Sequence, residues 1–228
     1  MKTILVFLFT ATFLGSYAQE TTELVKEVKA KLDRINDYQA TGIMKTDVSF
    51  MKIPESKVTV YYKKPDRFKI KKQDGISIVP KGGVNINLGS LFTGDNFTTV
   101  AAGKGTINGT DVTIVKLLPL DENSDVVVST LYIDEKAALV RKAVITTREN
   151  GTYEMEMSYG KYASRGLPDK VVFIFATKDY KLPKGLAFDY DTGEKAKPSK
   201  NTGEQKGKVE ITYTGYTINK GIDDAVFH

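Results

Sequence analysis

The stretch Val126–Asp179 constrains this chain most, because it reads as four consecutive strands joined by short turns. Val126–Asp134 is rich in β-branched residues and is broken by Glu135-Lys136. Leu139–Thr147 follows and stops at Glu149-Asn150-Gly151, whose Asn-Gly pair suits a hairpin reversal. Thr152–Tyr159 alternates: Tyr153, Met155, Met157 and Tyr159 share one face, Thr152, Glu154, Glu156 and Ser158 the other. Gly166-Leu167-Pro168-Asp169 then turns the chain into Val171–Thr177. Successive strand side chains point to opposite faces, so such a meander has one wet face and one dry face. The dry face carries tyrosine, methionine and phenylalanine, and something must cover it.

Only one segment offers a good covering helix. Within Gln19–Tyr38, Leu24, Val25, Val28, Leu32 and Ile35 recur at three- and four-residue intervals and form one apolar stripe. Thr21 or Thr22 suits the N-cap, and Glu23 sits in the first turn, where the helix dipole favours a negative charge. Ahead of it, Lys2, the apolar run Ile4–Leu14 and the small-residue end Ser16-Tyr17-Ala18 have the form of a secretory signal peptide cut after Ala18. That leaves residues 19–228 as a single exported domain, expected to be a soluble monomer. The apolar run is short for a bilayer span, which disfavours the rival reading of an uncleaved anchor.

Further strands flank the meander. Met44, Thr46, Val48 and Phe50 alternate with Lys45, Asp47 and Ser49 in a strand expected to begin at Ala40. Lys57–Lys63 puts Val58, Val60 and Tyr62 on one side. After Lys64-Pro65-Asp66, Phe68 and Ile70 oppose Arg67, Lys69 and Lys71. Asn96–Val100 and Thr106–Leu118 add strands around Asn108-Gly109, and Lys208–Ile218 is the last, with Val209, Ile211 and Tyr213 on one face. Residues 178–208, polar and rich in lysine, proline and glycine, read as a long insertion between neighbouring strands, since only one strand follows them. Gly75–Gly94 combines five glycines and one charge, Lys81, with Ile78, Val79, Leu88, Leu91 and Phe92. Either it lies as a movable lid over apolar surface, or it forms short strands and a turn of helix. One helix and about ten strands fit a half-barrel clasping the helix, with a β-sandwich as the rival.

Chemistry is sparse. The chain has no cysteine and one histidine, the terminal His228, which excludes disulfides, thiolate nucleophiles and an internal Ser-His site. Asp191-Thr192-Gly193 matches an aspartic-protease triplet but lacks apolar flanks. Asp189, Asp191 and Glu194 have oxygen ligands for calcium, yet the glycine is misplaced for an EF-hand loop. Asp121, Glu122 and Asp125 are explained by a turn as well as by paired catalytic carboxylates. No enzyme, cofactor or metal is expected. The net charge of +5 is spread along the chain and mixed with acids, which argues against nucleic acid as a partner.

Several pieces resemble the periplasmic lipoprotein-carrier family, the LolA-like outer-membrane lipoprotein-sorting proteins. Val28–Ala40 is similar to that family's helix running into its first strand, and Tyr61–Phe68 to its aromatic, basic, proline, Phe strand-turn-strand signature. Thr93-Gly94-Asp95-Asn96, Leu131-Tyr132-Ile133-Asp134 and Tyr216–Phe227 follow in the family's order. The resemblance implies an open antiparallel half-barrel, mainly β, with helices as a lid over an apolar cavity. Such a cavity takes the acyl chains of lipoproteins, or a related lipid, from an inner-membrane donor complex to an outer-membrane acceptor. It also implies a latch at the position before the proline, here Lys64, whose rotatable ammonium holds more loosely than an arginine fork. The acyl-chain cavity then falls to Met44, Val48, Phe50, Val58, Val60, Tyr62, Phe68, Ile70, Tyr153, Met155, Met157 and Tyr159, and the lid to Ile78, Val79, Leu88, Leu91 and Phe92. From the residues alone, the same positions would serve equally as a filled core. A lipid-sensing or protein-interaction module of the envelope is the alternative function on this fold.

Overall fold

The computed structural model describes residues 11–48, 51–52, 54–72, 88–92, 96–149, 151–176 and 206–227. Phe50, Ile78, Val79, Asn150, the Asp189–Glu194 cluster and nearly all of the 178–208 insertion lie outside them. The elements are α1 (Ala11–Asp33), β1 (Asp37–Val48), β2 (Met51–Lys52), β3 (Ser56–Lys63) and β4 (Arg67–Lys72). After a 3-10 turn at Leu88–Phe92 come β5 (Phe97–Ile107), β6 (Thr110–Pro119), β7 (Val126–Asp134), β8 (Leu139–Thr147), β9 (Gly151–Ser158), β10 (Lys170–Ala176) and β11 (Lys206–Ile218).

All strand pairs are antiparallel. They form one open sheet in the order β4-β3-β1-β11-β10-β9-β8-β7-β6-β5, with short β2 paired to β1. The meander β7–β10 matches the strands read from sequence to within one residue at each end. The strands on either side of the insertion, β10 and β11, are neighbours as expected. β5 differs: it is one continuous strand that passes through Ala101–Gly105 by way of a bulge.

Ten strands about 4.8 Å apart would span about 43 Å if flat, whereas a helix with its side chains is only about 10–12 Å across. The sheet wraps instead. On one side Thr22 of α1 meets Thr99 of the edge strand β5, hydroxyl to hydroxyl at 2.6 Å. Toward the other edge, Lys64 of the β3–β4 turn reaches the C-terminus of the same helix. Register shifts at Thr41/Gly42, Ala101/Lys104, Val126/Val128 and Tyr132/Ile133 supply bends. At Gly42 a Cβ would lie 2.6 Å from the Thr212 carbonyl oxygen, so only glycine lets β1 and β11 approach so closely.

The helix departs from its expected bounds. It runs without a break from Ala11 through Ala18 and ends at Asp33, so Thr21 and Thr22 lie inside it rather than at its cap, and Tyr38 belongs to β1. A residue far along the chain stops it. The Asn219 side chain donates to the Arg34 carbonyl (2.8 Å) and accepts from the Asn36 N–H (2.8 Å), while the Asp37 carboxylate takes the Lys220 and Gly221 N–H groups. The outer face is wet and cross-linked by charge: Lys142 pairs with Glu154 across β8 and β9, and Lys170 with Glu210 across β10 and β11.

Candidate functional site

The inner face of the curved sheet is apolar nearly throughout, and it brings the expected residues together. Met44 on β1, Val58, Val60 and Tyr62 on β3, Ile70 on β4, and Tyr153, Met155 and Met157 on β9 are buried in one continuous cluster. Phe68 and Tyr159 pack against its margin, partly exposed. Val48 closes β1, its side chain outside the described set, as is all of Phe50. Alternation positions these groups: in β3 every second side chain is buried, and the register Val60–Ile70 and Tyr62–Phe68 continues the face onto β4.

The same cluster holds residues absent from the sequence-derived set. β6 and β7 contribute Leu117 and Leu131, β8 Ile145, β10 Val171 and Phe173, and β11 Ile211. In β10 the run Val171–Phe175 is apolar on both faces, so alternation gave no signal there. A group of tyrosines closes one end. Tyr38 lies 5.2 Å from Tyr62 and 5.5 Å from Tyr216, centroid to centroid, and Tyr216 also touches Tyr162 at 4.9 Å and Tyr213 at 5.0 Å. The Tyr216 hydroxyl donates to the Pro168 carbonyl (2.7 Å). Burial pushes the hydroxyls of Tyr213 and Tyr216 up, away from ionisation, and does the same at Tyr38, aided by Tyr213 and Tyr62. These phenols stay neutral at physiological pH. Strand alternation from Tyr38 through Ala40 to Met44 was the available signal, hidden by the helical period that also fits Tyr38.

Three described segments cover the face: α1, the 88–92 turn and the β9–β10 connection, whose Leu167 is buried in the same cluster. Val25 and Val28 of α1 are buried, with Leu24 and Leu32 beside them, and the 88–92 turn inserts Leu88, Leu91 and Phe92. Of the expected lid residues, these last three are therefore enclosed. Between α1, that turn and the β7–β8 hairpin runs a cleft of about 10 Å³, room for about one water. Val28, Leu88, Leu91, Val140 and Tyr159 line it, the Tyr159 hydroxyl donating to the Val140 carbonyl (2.9 Å). Lys31 stands at its side and donates to the Ala137 carbonyl (2.5 Å). The described partners of the Lys64 ammonium are both on Asp33, whose carbonyl it approaches at 2.5 Å and whose carboxylate lies at 3.7 Å. Its contact thus falls on the end of α1, where the helix dipole favours a cation.

Among the described residues no group of three or more histidines or acids could hold a metal. The Asp121 carboxylate accepts the Asn123 N–H (2.9 Å), and Asp125 accepts that of Glu149, so both shape turns. No described helix is long and apolar enough to cross a membrane.

No family model matches the sequence, and no curated protein does. Solved structures do match. An outer membrane lipoprotein-sorting protein domain from Vibrio parahaemolyticus superposes with a TM-score of 0.54 at 11% identity, over 90% of this chain and 95% of that one. A DUF1329 family protein from Desulfovibrio piger gives 0.55 at 12% identity, over 92% and 97%. A LolA superfamily protein from Nitrosomonas europaea gives 0.53 at 10%, over 90% and 97%. At such identities the likeness is one of fold, and it extends along nearly the whole of each chain. The chain is LolA-like by fold: an open antiparallel sheet curled around its N-terminal helix.

Proposed function

We propose that the protein is a non-catalytic, soluble periplasmic carrier that binds the acyl chains of lipoproteins, or of a related lipid, and moves them toward the outer membrane. One observation carries this reading. The inner face of the sheet is apolar from β4 to β6, and among the described residues it is covered by separate short pieces: α1, the 88–92 turn and the β9–β10 connection with its buried Leu167. Separate covering pieces over one continuous floor are suited to lifting. Export with loss of residues 1–18, collection from an inner-membrane donor and delivery to an outer-membrane acceptor belong to the same proposal. In it Met44, Tyr62, Met155, Met157 and their neighbours receive the chain, Leu88, Leu91 and Phe92 form the lid, and Lys64 holds α1 in place. Methionine adapts to irregular apolar shapes, and each sheltered methylene contributes about 0.8 kcal/mol. Native mass spectrometry of protein purified from its own envelope tests the idea. Acyl-bearing adducts are expected, and the delipidated protein should take up a fatty-acyl probe. Failure of that uptake overturns the proposal.

A second reading, an envelope interaction module, draws on Val100 of β5 and Leu118 of β6. Both are exposed on the outer face at diagonal positions of the edge pair. Replacing both by lysine would then release a protein partner while leaving acyl uptake intact.

A further inference from the structure

Among the described residues, one buried side-chain hydroxyl has no hydrogen-bond partner. It is the Oγ of Ser129, which lies on β7, fully buried. Its register partners are Leu117 on β6 and Ile145 on β8, and the next inward residue along β7 is Leu131; all three are wholly buried. Other buried hydroxyls near this face are satisfied. Thr113 donates to the Glu135 carboxylate, and Thr147 to the Gly151 carbonyl at 3.3 Å. Leaving a buried hydroxyl unpaired is unfavourable, and alanine would fill nearly the same space without that penalty. Directly before Ser129, the register shift between Val126 and Val128 turns Val127 out to solvent while Val126 packs on the core. Bulges of this kind are frequent beside functional sites.

We propose that Ser129 is the polar contact of the acyl site. Its hydroxyl donates to the carbonyl oxygen of an ester, amide or carboxyl group at the head of the chain, lying over the inner face of β6, β7 and β8. This rests on the carrier reading and deepens it: the ligand class is an acyl derivative gripped at its carbonyl, not a bare hydrocarbon. The site is neutral, since no charged group is in register with Ser129 on either neighbouring strand. An ester or amide suits it better than an ionised carboxylate.

The test compares delipidated wild-type protein with Ser129→Ala. Each is titrated with methyl palmitate and with hexadecane, read by displacement of the apolar dye N-phenyl-naphthylamine. The variant should bind methyl palmitate about tenfold more weakly, bind hexadecane unchanged, and melt no lower than wild type. A second readout is the infrared stretch of an isotope-labelled ester carbonyl. It should lie at lower frequency when bound to wild type than when bound to Ser129→Ala. Unchanged methyl palmitate affinity, an equal loss for both ligands, or a lower melting temperature in the variant overturns the assignment while leaving the carrier reading intact. If wild type binds neither ligand, both fall together.

Discussion

A lid and a core make opposite demands on the same side chain, and two leucines separate them. Leu91 in the 88–92 turn and Leu131 in β7 are both essentially fully buried, at 1% and 0% exposure. Truncating a buried leucine to alanine costs about 2–5 kcal/mol. Leu131 sits in a strand paired on both sides, so Leu131→Ala should lower global stability by that amount. For a domain of this size, that is a fall in Tm of about 4–20 °C. The 88–92 turn has no described backbone hydrogen bond to the sheet. If it lifts as a unit, Leu91→Ala spends the same loss on the closed-to-open equilibrium instead. A bias of about 2 kcal/mol raises the open population about 30-fold. Stopped-flow uptake of a fluorescent fatty-acyl probe should accelerate accordingly, while Tm measured by calorimetry moves by no more than about 2 °C. Should Leu91→Ala melt as early as Leu131→Ala and take up probe at the wild-type rate, the turn belongs to the cooperative core, and lid opening is refuted.

Lys64→Ala removes the ammonium at the end of α1 and should cost about 0.5–1 kcal/mol, with the deficit shrinking in high salt when urea melts are compared. Lys64→Arg should retain that stability. Gly166, at φ +73°, lies where a Cβ would come within 3.1 Å of Leu32 and 3.3 Å of Lys31. Gly166→Ala should therefore lose about 1–2 kcal/mol from backbone strain alone, visible as a lower Tm. Asp134 is pushed up by burial, but hydrogen bonds from Arg141 and from the Ala137 N–H, with the Arg141 charge, outweigh this and hold its carboxyl below the usual range. Its stabilisation is complete above the unfolded value of about 3.9 and is lost as pH falls through the lower folded value. Asp134→Asn should therefore flatten the acid limb of a Tm-against-pH series below about pH 4. An unchanged limb would show that other carboxylates dominate it.

Much of the fold was legible because its signals are local. The β7–β10 meander declares itself through alternation and turn residues, and the Val25–Val28–Leu32 stripe identifies the covering helix. The helix end was not legible, because the period through Ile35 and Tyr38 fits a helix as well as a strand. What decides it is Asn219, 183 residues away from the Asn36 N–H that it binds. The floor of the candidate site was legible where one face is wet, as in β3 and β9. It was hidden where both faces are apolar, as in Val171–Phe175. Ser129 gave no signal, because a serine in a β-branched run looks solvent-facing until β6 and β8 are seen to bury it.

The interior is uneven along its length, and the strand order explains why. The start of β1, the end of β11 and the β3–β4 and β9–β10 turns meet at one end of the half-barrel. Tyr38, Tyr62, Tyr162, Tyr213 and Tyr216 gather there, ring against ring, one hydroxyl fixed to the Pro168 carbonyl. Moving such a ring breaks aromatic contacts and strands a phenol, so that end resists deformation. Away from that end Met44 and Met155 enter the floor, and the far end of β9 and β10 is aromatic again, with Tyr153 5.2 Å from Phe173 and Phe173 stacked on Phe175 at 5.4 Å. Methionine torsions are soft and the thioether is polarisable, so the middle of the floor yields at less energetic cost than either aromatic end. If the carrier proposal holds, the middle of the floor is therefore the part expected to reshape around a guest chain.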